Sequence, residues 1–102
     1  MAAGDRVVHL PKDAALAELR PDSLSFETYH CLLPGTRVVF NLVMEGHALP
    51  LRVEISRTEV VAKDRRGHRY LSYIALDGLS STDRQLIELF IKKGRGEPEL
   101  AP

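Results

Sequence analysis

Two runs of alternating apolar residues, separated by a short polar break, constrain this chain more than any other feature. Between Arg37 and Glu45 every second residue is apolar, and the alternation resumes at Leu49 and continues to Ile55. A period of two is that of a β-strand with one face in a core. Because only a few residues around Gly46 separate the runs, they predict an antiparallel hairpin. The residues predicted to point into the core are Val38, Phe40, Leu42, Met44, Leu49, Leu51, Val53 and Ile55.

Alternating segments before and after this hairpin predict further strands. Residues 6–10, 24–29 and 70–76 are candidate strands, and among them residues 24–29 alternate cleanly between apolar and polar side chains. The alternation slips near Ser56-Arg57, which predicts a bulge or bend that lets the sheet curl. The polar residues Asp64 to His68 predict a hairpin loop after the long strand. Several short strands joined by tight turns are typical of a small barrel.

Two segments have the composition or the period of a helix. Lys12 to Arg20 is rich in helix formers, with Asp13 as a candidate N-cap, and predicts a short helix. From Ser80 onward, apolar residues recur every three or four positions and predict a helix over about residues 81–93 that ends at Gly94. Its predicted contacts with the barrel are Leu86, Ile87, Phe90 and Ile91.

Length and composition predict one soluble domain. The 102 residues suffice for a single core, which we assign to residues 1–94, and the polar tail 95–102 is predicted to be flexible. Fourteen basic residues balance fourteen acidic ones, so net charge favours neither nucleic acid nor an anionic membrane as partner. No apolar run approaches the roughly 20 residues that cross a bilayer, and the first residues have no signal-peptide core. We therefore expect a cytoplasmic protein without membrane insertion, and the single cysteine, Cys31, agrees with a reducing compartment.

The order of the predicted elements resembles the PilZ domain family over roughly Leu24 to Ile91. The resemblance is carried by the segments LLPGTRVVFNLVMEG, LPLRVEISRTEV, RGHRYLSYIAL and STDRQLIELFI. It implies an all-β fold with a C-terminal α-helix, namely a six-stranded antiparallel PilZ-like β-barrel. It also implies a role in bacterial cyclic di-GMP signalling, since many PilZ domains bind that dinucleotide.

The two sequence signatures of PilZ domains are where this chain departs from the family. In the RxxxR signature two arginines clamp phosphates and stack on guanine, and in [D/N]xSxxG polar side chains bind the base while glycine permits close approach. No RxxxR precedes the barrel here, and no register around Asp22 supplies both D-x-S and the glycine three residues later. If cyclic di-GMP binds, the resemblance implies a ligand set of Arg6, Arg20, Asp22, Ser23 and Ser25.

A cationic loop is the candidate surface for a protein partner. Arg65, Arg66, His68 and Arg69 cluster in the predicted hairpin loop, where exposed loops on a rigid scaffold commonly carry binding function. The simpler interpretation is a solvated loop whose charges protect strand edges. The four histidines and Cys31 show no metal-ligand spacing, so we predict no metal. We also predict no resident cofactor and no enzymatic activity, because the sequence has no phosphate loop, nucleophile elbow or paired carboxylates.

Three functions remain as alternatives. The first is a non-catalytic adaptor in a cyclic di-GMP pathway that binds a protein partner in signalling or motility, with weak or absent binding of the dinucleotide. The second is a divergent receptor that binds cyclic di-GMP through non-standard arginines. The third and most remote is a small barrel that binds single-stranded nucleic acid, which neutral charge and only three Phe and three Tyr disfavour. A homodimer is compatible with each of them.

Overall fold

Seven strands and one helix follow one another along residues 7–94 and 96–101, the part of the chain that this computed structural model describes. Their bounds are β1 Val7–His9, β2 Ala15–Leu19, β3 Ser23–Thr28, β4 Arg37–Met44, β5 His47–Asp64, β6 Gly67–Ala75, α1 Ser81–Lys93 and β7 Glu99–Ala101. The protein is therefore mostly β with a C-terminal helix, as the sequence predicts. The predicted ligand residue Arg6 lies outside the described residues.

The predicted central hairpin is confirmed. β4 and β5 pair antiparallel from Arg37 opposite Glu54 to Met44 opposite His47. The two turn residues, Glu45 and Gly46, have φ values of 49° and 84°, the positive values that a tight hairpin turn requires at both of its central positions. All eight residues predicted to point inward are buried, none with more than 8% of its surface exposed.

β5 bends and belongs to both halves of the sheet. Its first half pairs with β4 and its second half with β6, and the register with β6 shifts between Ile55 and Arg57. The bend predicted at Ser56-Arg57 is thus confirmed. A second shift follows between Val60 and Ala62. The strand order β1-β4-β5-β6-β3-β2 then curls into a half-barrel, since bulges increase local twist and curvature.

Two short strands make the sheet mixed and add a seventh member, which differs from the expected set of six antiparallel strands. β1 pairs parallel with the start of β4, with Val7 opposite Arg37, and β7 pairs antiparallel with its second half, with Asn41 opposite Ala101. The eight residues of β4 are long enough for β1 and β7 to pair one after the other along the same strand. The tail was predicted to be flexible, but Glu99–Ala101 form β7, where Leu100 packs half-buried against the core. Residues 95 and 102 of that tail lie outside the described residues.

The predicted helix over Lys12 to Arg20 is wrong, because Ala15–Leu19 form β2. This strand pairs antiparallel with β3 and has a bulge between Leu16 and Glu18. Helix propensities differ by only about 0.7 kcal/mol per residue between ordinary side chains. Strand pairing and the packing of Leu16 and Leu19 against the core outweigh that preference.

The C-terminal helix is confirmed at both ends, but its packing is narrower than predicted. The Ser80 side chain accepts a hydrogen bond from the Asp83 N–H at 3.2 Å, and Gly94 ends the helix in the left-handed conformation. Ile87 and Phe90 are buried. Of the predicted contacts, Leu86 and Ile91 are instead 42% and 37% exposed. The helix thus meets the sheet along a stripe of i and i+3 positions. No helix among the described residues is long and apolar enough to cross a membrane.

Phe90→Ala should lower the free energy of unfolding by about 3 kcal/mol or more, because it removes a buried ring and leaves a cavity between helix and sheet. Leu89→Ala is the matched control on the same helix, since Leu89 is 53% exposed and such sites usually change stability by less than about 1 kcal/mol. Urea denaturation of both variants provides the comparison. Equal midpoints for the two would contradict the helix packing described above.

Candidate functional site

Four of the predicted ligand residues, Arg20, Asp22, Ser23 and Ser25, lie in and next to the hairpin between β2 and β3. The Arg20 N–H donates to the Ser23 carbonyl at 2.8 Å, and the Ser23 N–H donates back at 3.4 Å. Pro21 and Asp22 therefore occupy the two central positions of a tight turn, the first of which proline favours. The Asp22 carbonyl also accepts the Leu76 N–H at 2.9 Å, which fixes the turn beside the end of β6.

The one described arginine of the ligand set is engaged by a neighbouring carboxylate. Arg20 Nε lies 3.0 Å from Glu18 Oε1, and a terminal nitrogen of the guanidinium donates to Glu18 Oε2 at 3.2 Å. Both side chains are more than half exposed, so the pair contributes at most about 1 kcal/mol to stability. The bidentate geometry nonetheless occupies the fork that a phosphate would need.

Ser25 is the least accessible of the four ligand-set residues that the structure describes. It is 5% exposed and pairs with Tyr73 of β6 on one side and with Glu18 of β2 on the other. Leu24 and Phe26, its neighbours along β3, point into the core. The Ser25 side chain therefore lies on the outer face of the sheet, under the longer side chains around it.

An arginine and an aromatic ring that the sequence analysis did not select lie close to this hairpin. The guanidinium carbon of Arg57 is 4.1 Å from the centre of the Tyr73 ring, a cation–π contact. Both residues line a shallow depression of about 340 Å³ that also contains Ser23 and Ser56. The only sequence signal for this arrangement was the broken alternation at Ser56-Arg57, because the pairing of Arg57 with Tyr73 follows from the shifted register of β5 on β6.

The predicted partner residues lie at the tip of the β5–β6 hairpin. Arg65 and Arg66 form its two-residue turn between Asp64 and Gly67. Arg65, Arg66 and His68 are exposed and Arg69 is half-buried, with Arg69 bound to Glu27 of β3 at 2.7 Å. The structure thus brings all four predicted residues onto one hairpin end.

Tyr29 connects this hairpin end to the segment that follows β3. Its hydroxyl donates a hydrogen bond to the Asp64 carboxylate, and the Arg66 guanidinium carbon lies 4.5 Å from the centre of its ring. The Asp64 carboxylate also accepts the Arg66 N–H at 2.8 Å. The hydrogen bond to Asp64 raises the pKa of Tyr29, and the same bond, together with the one from Arg66, lowers the pKa of Asp64. Tyr29 was not among the predicted site residues, because no motif surrounds it in the sequence.

Asp13 fixes the segment after β3 from the other side. Its carboxylate accepts the Thr28 hydroxyl at 2.9 Å and the Tyr29 N–H at 2.7 Å, and it lies 3.5 Å from His30 Nε2. The residue predicted to cap a helix is therefore an acceptor for a loop. Burial acts to raise the pKa of Asp13, but these hydrogen bonds outweigh it and hold that pKa below 3.8.

The two clusters lie at opposite ends of the β3–β6 ladder. Ser23 pairs with Ala75 at one end and Thr28 with Tyr70 at the other, so five strand steps, about 16 Å, separate them. The arginines of the hairpin tip are therefore beyond the reach of a small ligand held by Arg20 and Ser23. Within residues 7–94 and 96–101, no three His, Cys, Asp or Glu side chains converge as metal ligands would.

Asp13→Asn should lower the free energy of unfolding by about 1–2 kcal/mol at pH 7, because an amide oxygen cannot replace both carboxylate acceptors. The native pKa of Asp13 is below the unfolded value of 3.8, so the stabilisation is present above pH 3.8 and disappears as the pH falls through the native pKa. The stability difference between wild type and variant should therefore shrink as the pH falls below 3.8 and through the native pKa of Asp13. Urea denaturation across that range measures it, and a constant difference would contradict the assigned role.

Comparison of the chain with protein-family models, with curated protein sequences and with solved structures gave no match.

Proposed function

We propose that this chain is a PilZ-type signalling module of the bacterial cytoplasm that acts by binding a protein partner in a cyclic di-GMP pathway, without catalysis, and binds cyclic di-GMP weakly or not at all. Weak or absent binding of cyclic di-GMP is supported by the distance of about 16 Å that separates Arg20 and Ser23 from the cationic hairpin tip. The relation to PilZ barrels is part of the proposal. The confirmed central hairpin, the bend in β5 and the terminal helix support it, while the parallel β1 and the added β7 are departures.

Weak nucleotide binding is supported by the state of three predicted ligand residues. Arg20 is bound by Glu18, Ser23 exchanges backbone hydrogen bonds within a tight turn, and Ser25 is covered by its neighbours. A dinucleotide would have to compete with Glu18 for one guanidinium and would find no second arginine from the hairpin tip. Each charge-assisted hydrogen bond to a phosphate contributes about 1.5–3 kcal/mol, so a missing arginine clamp weakens binding by orders of magnitude.

Protein binding at the hairpin tip is supported by geometry and charge. The second half of β5 is exposed from Glu59 to Asp64, so the hairpin extends beyond the core. Its tip carries the exposed Arg65, Arg66 and His68. Arg66 lies on the Tyr29 ring while Asp64 and Asp13 hold that segment in place. A cationic surface on a fixed loop suits an acidic partner segment.

One observation favours the alternative of a divergent receptor. The depression next to Ser23 contains Arg57 above the Tyr73 ring, so a cation and an aromatic face are close to the predicted base-binding serines. If cyclic di-GMP binds, Arg57 rather than a hairpin-tip arginine is the residue placed to replace the missing clamp, in competition with Glu59, whose Oε1 lies 3.4 Å from Arg57 Nε. This alternative differs from the adaptor proposal in affinity and in its dependence on Arg57.

Calorimetric titration with cyclic di-GMP should give a dissociation constant of about 1 mM or weaker, as expected for a PilZ site that has lost two arginine contacts. Arg20→Ala and Arg57→Ala should leave that result unchanged, and Arg52→Ala, an exposed arginine on the first half of β5, is the matched control. A dissociation constant of about 10 μM or below, lost in Arg57→Ala or Arg20→Ala but kept in Arg52→Ala, would establish the divergent receptor instead.

Charge reversal at the tip, with Arg65→Glu and Arg66→Glu combined, should abolish partner capture in a pull-down from an extract of the bacterium that encodes the protein. Both residues lie in an exposed turn, so the free energy of unfolding should change by less than about 1 kcal/mol. Arg52→Glu, away from the tip, controls for the loss of positive charge. Recovery of the same partners by the doubly reversed variant and by wild type would refute the partner surface.

A further inference from the structure

The second half of β5 has one edge without a strand partner among residues 7–94 and 96–101. β4 pairs with β5 only as far as Glu54, and the loop before β4 adds backbone hydrogen bonds at Ile55, where Gly35 donates at 2.8 Å and Thr36 accepts at 2.8 Å. Beyond that point β6 occupies the opposite edge of β5. From Arg57 to Asp64 no described strand pairs with the edge on the β4 side, where the loop before β4 reaches only as far as the Thr58 hydroxyl, which donates to the Leu32 carbonyl at 2.5 Å. Unpaired strand edges are templates for pairing with another chain.

The open edge is only partly protected, by the charged Lys63 near its end and by the bulge at Val61. It contains no proline, and its centre is apolar, with Val60 and Val61 exposed by 60% and 44%. Asp64 and Gly67 close a two-residue turn, so their backbone bonds point toward each other across the hairpin. Alternation then directs the N–H and C=O groups of Lys63, Val60 and Thr58 toward the open edge.

The register of β5 on β6 gives this edge a two-fold symmetric pattern. Seven residues of β5 are paired with successive residues of β6, namely Arg57, Thr58, Glu59, Val60, Ala62, Lys63 and Asp64. Val61 is the extra residue of the bulge between Val60 and Ala62. Val60 is thus the middle one of the seven paired positions. A two-fold axis through Val60 places the first position opposite the seventh and the second opposite the sixth.

We propose that a second copy of this chain binds this edge, with the two β5 strands antiparallel about a two-fold axis at Val60. Each Arg57 then lies opposite Asp64 of the second copy, an opposite-charge pair that occurs twice. Each Thr58 lies opposite Lys63 of the second copy, and the two Val60 side chains meet on the axis. Thr58, Val60 and Lys63 direct their N–H and C=O groups toward the second copy, and each of them faces another residue of this set. Backbone hydrogen bonds can therefore form between the two β5 strands on both sides of the axis.

The bulge decides the sign of the charge pairing. If Val61 were an ordinary position of the ladder and not the extra residue of a bulge, the same axis would place Arg57 opposite Lys63 of the second copy, and like charges directly opposite each other are destabilising. With the bulge, Arg57 lies opposite Asp64 of the second copy. Arg57 and Asp64 also lie on one face of β5, because an even number of pleats separates their positions. This self-complementarity favours a second copy over an unrelated peptide, which no feature of the edge specifies.

Sedimentation equilibrium of the full chain tests the dimer. Wild type should change from monomer to dimer as concentration rises, with the micromolar or weaker affinity typical of a small interface. Arg57→Asp alone and Asp64→Arg alone should each weaken association at least about tenfold, because each places like charges at both ends. An equimolar mixture of these two variants should dimerise as wild type does, since both ends then join opposite charges.

Two further variants distinguish a loss of dimerisation from a loss of folding. Val60→Glu should give a monomer that mixing does not rescue, because it places two carboxylates on the axis. Leu89→Glu, on the exposed face of α1, should remain dimeric. Circular dichroism of each variant verifies the fold. A wild-type chain that stays monomeric up to about 1 mM, a dimer unaffected by Val60→Glu, or a mixture of charge variants that stays monomeric would each overturn the proposal.

Discussion

The bend in β5 is the constraint on which the rest of the sheet depends. Up to Glu54 the strand pairs with β4, and its inner face is buried as far as Ile55. From Ile55 onward it pairs with β6, and after Arg57 it leaves the core. One continuous strand thus joins the two halves of the curled sheet. Because backbone pairing is maintained across the bend, the inward residues of β4 and those of β3 and β6 face a common core. The helix then closes that core through Ile87 and Phe90.

The same bend distributes the polar chemistry. Arg57 is shifted into register with Tyr73 on the outer face, next to the β2–β3 turn, while the rest of the strand carries Asp64 and the arginines to the far end of β3. Arg57 and Asp64 belong to the same strand but therefore lie at different places on the protein surface. A ligand site that needs both groups of arginines would require a different register of β3 on β6.

The sequence predicted the elements whose burial is periodic over many residues. The alternation from Val38 to Ile55 was sufficient for the hairpin, its inward face and the bend, and the capping of Ser80 and the glycine at 94 were sufficient for the helix ends. Local signals failed where a few residues depend on distant partners. β2 has the composition of a helix, and β7 is three residues long, so both are strands only because β3 and β4 offer edges to pair with.

The candidate site was predictable only in part, for the same reason. The cationic residues from Arg65 to Arg69 are consecutive enough to be recognised as a cluster. Tyr29, Asp13 and the Arg57–Tyr73 contact depend on register and loop placement, which no local pattern specifies.

The central claim is that the β2–β3 turn and the hairpin tip are separate surfaces that cannot act together on one dinucleotide. Amide chemical shifts of the ¹⁵N-labelled protein, followed during titration with cyclic di-GMP, test it most directly. The account predicts no saturable shifts at Arg20 to Ser25 together with Arg65 to Arg69 below about 1 mM ligand. Saturable shifts in both segments, with one common dissociation constant, would contradict it.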